Sequence, residues 1–202
     1  GTMICWLRYD ESKVKTYSLQ LFKGEKPAKE EFVEYPGLYS YKYPKAGTNN
    51  SVVTAWSYDI KSHKANRLQV PLAADGYMPR IKPTADASKI IVYTMNRHQS
   101  ELNLYSVNPR STVAQLIVQE KNAKYVKEET IEGIIIGKNS FLLPSERSGY
   151  MNIYLYNMNG QLMRQIGNGS FDITAVYGYD EENGDIYYQA ASINAHDRQV
   201  FV

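Results

Sequence analysis

Apolar side chains alternate with polar ones along most of this chain, in short runs that turn residues interrupt. Val52 to Tyr58, Lys89 to Thr94, Glu101 to Val107, Met151 to Tyr156 and Gly184 to Tyr188 are each rich in β-branched and aromatic residues, with Gly, Asn, Asp or Pro at their margins. A period of two with such margins predicts short β-strands joined by tight turns, because successive side chains of a strand point to opposite faces. Asn159-Gly160 and Asn183-Gly184 are the clearest hairpin signals, since both residue types tolerate the positive φ of two-residue turns. No long stretch carries the period of an amphipathic helix. Lys26 to Glu34 has room for one helical turn, limited by Pro27 and Pro36.

The runs also repeat. Asp59, Asn108 and Asn157 each close a run before a polar turn, and they recur at intervals of 49 residues. Arg97 and Arg147, each after the polar tail of an apolar run, stand 50 residues apart. Units of this length with about four short strands each are the signature of propeller blades. The expected fold is all-β: a partial β-propeller of about four blades, some incomplete, each a four-stranded antiparallel sheet. The expected organisation is one domain, with residues 1–47 as an incomplete blade plus an extended arm, and 48–98, 99–147 and 148–202 as approximate repeats. One blade cannot bury both faces of its sheet, so neighbours must stack on it.

Composition adds to this picture. The chain holds 18 tyrosines in 202 residues. Large rings with one polar end suit half-buried sheet faces, which assigns most of these tyrosines to packing between blades. A hydrophobic fraction of 43% argues against disorder. No aliphatic run exceeds three residues, as in Ile134-Ile135-Ile136, far short of the roughly 20 residues of a membrane-spanning helix. A net charge of +2 without a basic block leaves no footprint for nucleic acid. Cys5, the single cysteine, excludes an internal disulfide and reads as a small buried hydrophobe within Met3 to Leu7. No basic start followed by a long apolar stretch marks a signal peptide. Both ends run through strand-like sequence and read as cuts through a longer chain.

No residue stands in a pattern that gives it a catalytic, substrate-binding or metal-binding role, and no cofactor is expected. There is no G-x-S-x-G elbow, and Gly167-Asn168-Gly169-Ser170 has its glycine in the wrong register. His63, His98 and His196 are far apart and lack ligand spacing. Phosphate-binding and dinucleotide fingerprints are missing. The carboxylate pairs Glu30-Glu31, Glu128-Glu129 and Glu181-Glu182 read as solvated loop charges, the alternative being joint cation binding at a turn or helix start. Asn49 and Asn168 open N-x-S triplets, which arise easily by chance.

The segment Tyr17 to Tyr41 stands outside the repeat. Tyr17, Leu19, Leu21 and Phe22, then Phe32, Tyr35, Tyr39 and Tyr41, predict a two-stranded arm with an exposed apolar side. Such an arm is a candidate partner surface, and packing on its own blade is the competing reading.

Arg8-Tyr9-Asp10-Glu11-Ser12, then Tyr41-Lys42-Tyr43-Pro44-Lys45-Ala46-Gly47 with Asn50 soon after, resemble the propeller domain of the dipeptidyl peptidase IV family of serine peptidases. Pro79-Arg80-Ile81, Asn96 to Gln99, Ser145 to Tyr150, Leu155 to Leu162, Tyr177 to Glu181 and Ile186 to Ala191 follow in the family's order. The likeness is greatest to Bacteroides-like members and covers essentially the whole chain.

The resemblance implies an eight-bladed propeller capping a C-terminal α/β-hydrolase domain that carries the Ser, Asp and His of the triad. It implies a periplasmic or secreted parent that releases N-terminal dipeptides with proline or alanine in second place. It also implies that the arm helps form a homodimer. The family's glutamate pair for the substrate's amino terminus precedes the segment matched by Arg8 to Ser12, so no residue here inherits that role. This chain would be about half of the propeller, a structural wall without catalytic groups. The rival reading is a non-enzymatic propeller that acts as a binding module, since propellers host many functions.

Overall fold

The computed structural model describes residues 1–22, 35–167, 170–194 and 196–202. The expected helical turn at Lys26 to Glu34 lies outside the described residues. Among the described residues every regular element but one short helix is a strand, and the sheets are those of a partial β-propeller. By compactness it divides into one unit of residues 1–8 and 54–202 and a second of residues 9–53.

Three strands, β1 (Met3–Asp10), β4 (Val52–Asp59) and β5 (Lys64–Arg67), form the first sheet, in the order β1-β4-β5. Between β1 and β4 the chain forms β2 (Thr16–Leu21) and β3 (Gly37–Lys42), which pair with each other alone. The strands flanking this insertion are thus hydrogen-bonded neighbours in one sheet.

The second sheet is a four-stranded antiparallel meander of β6 (Ile81–Pro83), β7 (Ile90–Met95), β8 (Glu101–Val107) and β9 (Ala114–Lys121). A short helix, α1 (Glu128–Glu132), follows. The third sheet repeats the meander with β10 (Ile135–Ile136), β11 (Ser140–Ser145), β12 (Asn152–Asn157) and β13 (Leu162–Ile166). The last comprises β14 (Ile173–Asp180), β15 (Asp185–Ala190) and β16 (Gln199–Phe201). The expected repeat 99–147 runs from the third strand of one sheet, β8, to the second strand of the next, β11.

The 49-residue spacing has a local cause. The side-chain oxygen of Asp59 accepts hydrogen bonds from the backbone N–H of Lys61 and Ser62, and that of Asn108 from Arg110 and Ser111. Asn157 does the same for Asn159 and Gln161. Each closes the hairpin between the last two strands of its sheet, where an Asx side chain stands in for a backbone turn. Gly160, at φ +85°, completes the Asn157 turn, and a Cβ there would lie 1.8 Å from the Ile117 carbonyl oxygen. That hairpin therefore touches bare backbone of the preceding sheet.

Burial follows the alternation. In β11 every residue is buried, because both faces of the strand are covered. Phe141 and Leu143 join Tyr93, Leu102, Leu104, Tyr154 and Tyr156 in the core between the second and third sheets. Leu142, between them in sequence, points the other way and packs with Ile153, Ile173, Ile186 and Ala190 against the last sheet. Ile131 of α1 joins the larger core. The tyrosines divide more evenly than composition predicts. Tyr93, Tyr105, Tyr154 and Tyr156 are buried, whereas Tyr9, Tyr35, Tyr39, Tyr43, Tyr125, Tyr150, Tyr177 and Tyr187 are exposed. A sheet has solvent-facing edges and turns as well as stacked faces, and aromatic residues occupy both here.

Candidate interaction surface and the seams between sheets

The insertion supplies a two-faced ribbon. Pairing of β2 with β3 sets Tyr17 opposite Tyr41, Leu19 opposite Tyr39 and Leu21 opposite Gly37. These residues share one face, because they occupy alternate positions in matched register. The other face carries Ser18 opposite Ser40, joined by a 2.8 Å hydroxyl contact, with Thr16 opposite Lys42 and Gln20 opposite Leu38. On the aromatic face, ring centroids of Tyr39 and Tyr41 are 5.5 Å apart, those of Tyr17 and Tyr41 6.0 Å, and those of Tyr41 and Tyr43 6.0 Å. The Lys45 ammonium lies 4.5 Å from the Tyr17 ring centre. Leu19, Tyr39 and Tyr43 are 37%, 53% and 49% exposed.

Of the eight residues expected on the arm, five gather on this face: Tyr17, Leu19, Leu21, Tyr39 and Tyr41. Phe22 lies one residue beyond β2, out of register with them, and Tyr35 precedes β3; both are exposed. Phe32 lies outside the described residues. Tyr43 is an addition that strand periodicity would have found, since it continues the odd-numbered positions of β3.

Polar clusters fasten each sheet to the next. At the first seam Arg110 pairs with Asp59 and donates to the Thr2 hydroxyl at 2.9 Å, while the buried Ser57 hydroxyl donates to the Pro109 carbonyl at 2.7 Å. At the second, Arg147 in the β11–β12 turn pairs with Glu120 of β9, and Ser145 donates to the same carboxylate at 2.5 Å. The Arg147 guanidinium also lies 4.3 Å over the Tyr154 ring and donates to the Tyr156 hydroxyl. Burial opposes the charge of Arg147, yet the Tyr156 hydroxyl and the Glu120 carboxylate more than offset that, and its pKa lies above the ordinary guanidinium value.

At the third seam Glu181 accepts from the backbone N–H of Lys138 at 2.6 Å and of Asn139 at 2.9 Å, and from the Ser140 hydroxyl at 2.5 Å. Burial alone would raise the Glu181 pKa, but these donors hold it below the usual glutamate value. Glu181 is thus an anchor between sheets and corrects the reading of its pair as solvated charges. Glu128 and Glu129 are exposed in the first turn of α1, and Glu30-Glu31 lies outside the described residues. Glu120 and Glu181 carry no local sequence signal: their partners are 27 and 43 residues away.

Among the described residues, no cluster of three or more His, Cys, Asp or Glu side chains has metal-site geometry. His63 bonds the Tyr58 hydroxyl at 2.9 Å. Cys5 is half-buried, and burial raises its thiol pKa. No helix among the described residues is long and apolar enough to cross a membrane.

The whole chain, residues 1–202, matches the family model described as the dipeptidyl peptidase IV N-terminal region. It is similar to the dipeptidyl peptidase 4 of Trichophyton rubrum, 22% identical over 213 residues, covering all of this chain and 26% of that protein. The dipeptidyl peptidase 4 of Arthroderma otae is 21% identical, again over all of this chain and 26% of its own length. Among solved structures, the crystal structure of Porphyromonas gingivalis dipeptidyl peptidase 4 superposes with a TM-score of 0.88 at 36% identity, over 98% of this chain and 27% of that one. The chain thus spans about a quarter of the length of these relatives. A family match from the first residue to the last, on sheets of matching fold, makes this chain a member of the dipeptidyl peptidase IV family, within its N-terminal region.

Proposed function

We propose that this chain is the C-terminal half of the N-terminal propeller of a periplasmic or secreted dipeptidyl peptidase. The parent releases dipeptides with proline or alanine in second place from peptide amino termini. A Ser-His-Asp triad on a following α/β-hydrolase domain does the chemistry. The propeller section walls the reaction chamber and limits entry to short peptides. The observation that carries this reading is the superposition on 27% of Porphyromonas gingivalis dipeptidyl peptidase 4 at 36% identity. Reading the gene beyond Val202 tests it: an α/β domain with a G-x-S-x-G elbow is expected, and a stop within a few tens of residues favours the binding module. The chain itself, assayed on a Gly-Pro chromogenic substrate, is expected to give no turnover. Cell fractionation tests the compartment, and a cytoplasmic parent overturns that part.

The aromatic face of the β2–β3 ribbon is the contact for a second copy in this reading. Exposed tyrosines beside leucines give large, stiff contact area at low entropic cost. Light scattering is expected to find the chain larger than a monomer, and Leu19→Glu with Tyr39→Glu to return it to monomer mass. An unchanged mass in the double variant removes the ribbon from the interface.

A further inference from the structure

Strand order leaves one place empty in the first sheet. Asp59, Asn108 and Asn157 each sit in the hairpin that joins the last two strands of a sheet, so β4 and β5 are the counterparts of β8 and β9, and of β12 and β13. The other neighbour of β4 is β1, which makes it the counterpart of the second strands, β7 and β11. Those two are each paired on the far side by a short first strand, β6 or β10. Among the described residues β1 has no such neighbour and ends its sheet. Its sequence does not suit an edge, because residues 3–7, Met3-Ile4-Cys5-Trp6-Leu7, are apolar throughout and hold neither charge nor proline. β11 is buried throughout and β7 at all but its first residue, yet no residue of β1 is buried, and Ile4 is 52% exposed. Beside it lies a cavity of about 300 Å³, lined by Met3 and Cys5 of β1, Ile81 and Pro83 of β6, and Ile90 of β7.

We propose that the free edge of β1 is the seat of one further strand, supplied by the parent chain immediately before Gly1, and that this strand pairs with β1 as β6 pairs with β7. The inference rests on the reading of this chain as part of a larger propeller. Backbone N–H and C=O groups along the edge supply the ladder, and the cavity takes an aliphatic side chain of the incoming strand. The two four-stranded sheets give its form. Their first strands are Ile81–Pro83 and Ile135–Ile136, so the pattern is two or three residues that include isoleucine. β6 ends at Pro83 and β7 begins at Ile90, while β10 ends at Ile136 and β11 begins at Ser140. Connections of the same length before Met3 put the added strand within about ten residues of Gly1.

The test compares the 202-residue chain with the same chain preceded by the parent's adjoining residues, about fifteen in number. Amide hydrogen exchange follows residues 4–7, and peptide mass spectrometry follows the modification of Cys5 by N-ethylmaleimide. In the longer chain residues 4–7 should gain protection and Cys5 should react more slowly, each by about tenfold or more, while protection in β7 and β8 stays the same. Equal exchange and equal labelling in the two chains overturn the proposal. Protection of residues 4–7 in the 202-residue chain that rises with its concentration also overturns it, because that assigns the edge to a second copy. If the longer chain loses protection in β7 and β8 and so fails to fold, the intact parent decides. There, Cys5 labelling as fast as in the 202-residue chain overturns the proposal, and slowed labelling with residues 4–7 protected upholds it. A gene without coding sequence before Gly1 overturns it too. A stop soon after Val202 defeats the peptidase reading and leaves this result standing, so the two fail separately.

Discussion

Arg147 lends itself to a quantitative test of how the second and third sheets are joined. Its side chain is 31% exposed and that of Glu120 only 7%, so the pair is buried at its acidic end. Replacing Arg147 by methionine keeps an unbranched apolar stem and removes the charge. Glu120 is then left ionised in a nearly closed site, with Ser145 as its remaining partner. Breaking a buried pair in this way costs about 3–5 kcal/mol, and the partial exposure of Arg147 places this case near the lower end, about 3 kcal/mol. Replacing both, Arg147→Met with Glu120→Leu, removes the stranded charge and fills the space with apolar groups. That double variant should lie within about 1 kcal/mol of wild type, a coupling of about 2 kcal/mol or more relative to additive behaviour. Urea denaturation followed by circular dichroism measures all variants, with the slope against denaturant checked for constancy. A single-variant loss under about 1 kcal/mol, or a double variant as unstable as the sum of its parts, refutes the view that desolvated charge governs this seam.

Other outcomes follow from single contacts. Gly160→Ala should cost at least about 1.5 kcal/mol more than Gly149→Ala in the same denaturation assay. Both glycines have positive φ, but only the first would drive a Cβ into backbone, whereas the second has open space. Tyr93→Phe should leave stability unchanged or raise it slightly, because the Tyr93 hydroxyl is buried with no hydrogen-bond partner among the described residues. Tyr156→Phe should cost about 1.5 kcal/mol, since it removes an acceptor from the Arg147 guanidinium. Equal losses for the two tyrosines would contradict this accounting.

The strands were legible because their signal is local. Lys89 to Thr94 and Glu101 to Val107 became β7 and β8 almost residue for residue, and Asn159-Gly160 became the β12–β13 turn. The 49-residue period was legible for a reason that structure makes plain: each of its markers caps its own turn through atoms two to four residues away. The alternation in the ribbon likewise picked out five residues that share a face. What stayed hidden depends on partners far along the chain. Nothing in Tyr177 to Glu182 distinguishes the Glu181 that clasps a neighbouring sheet from the Glu182 that faces solvent. Helix α1 was missed because five residues are too few to show a period, and two buried ones, Thr130 and Ile131, are its only core contacts. The sign of a tyrosine's environment was also illegible, since Tyr154 is buried and Tyr150, four residues earlier in a turn, is exposed.

The insertion that carries the ribbon leaves and re-enters one sheet at adjacent strands, β1 and β4. Its two ends are pinned by the sheet whatever lies between them, so the segment behaves as a tethered loop in the thermodynamics of folding. Closing a loop costs entropy that grows only with the logarithm of length, about 0.6 kcal/mol for each doubling. Lengthening, shortening or exchanging the ribbon is therefore cheap for the propeller, and register in β4 and β5 does not depend on it. A ribbon in this position can diverge between relatives, or be swapped between them by grafting, at a pace the sheets do not limit.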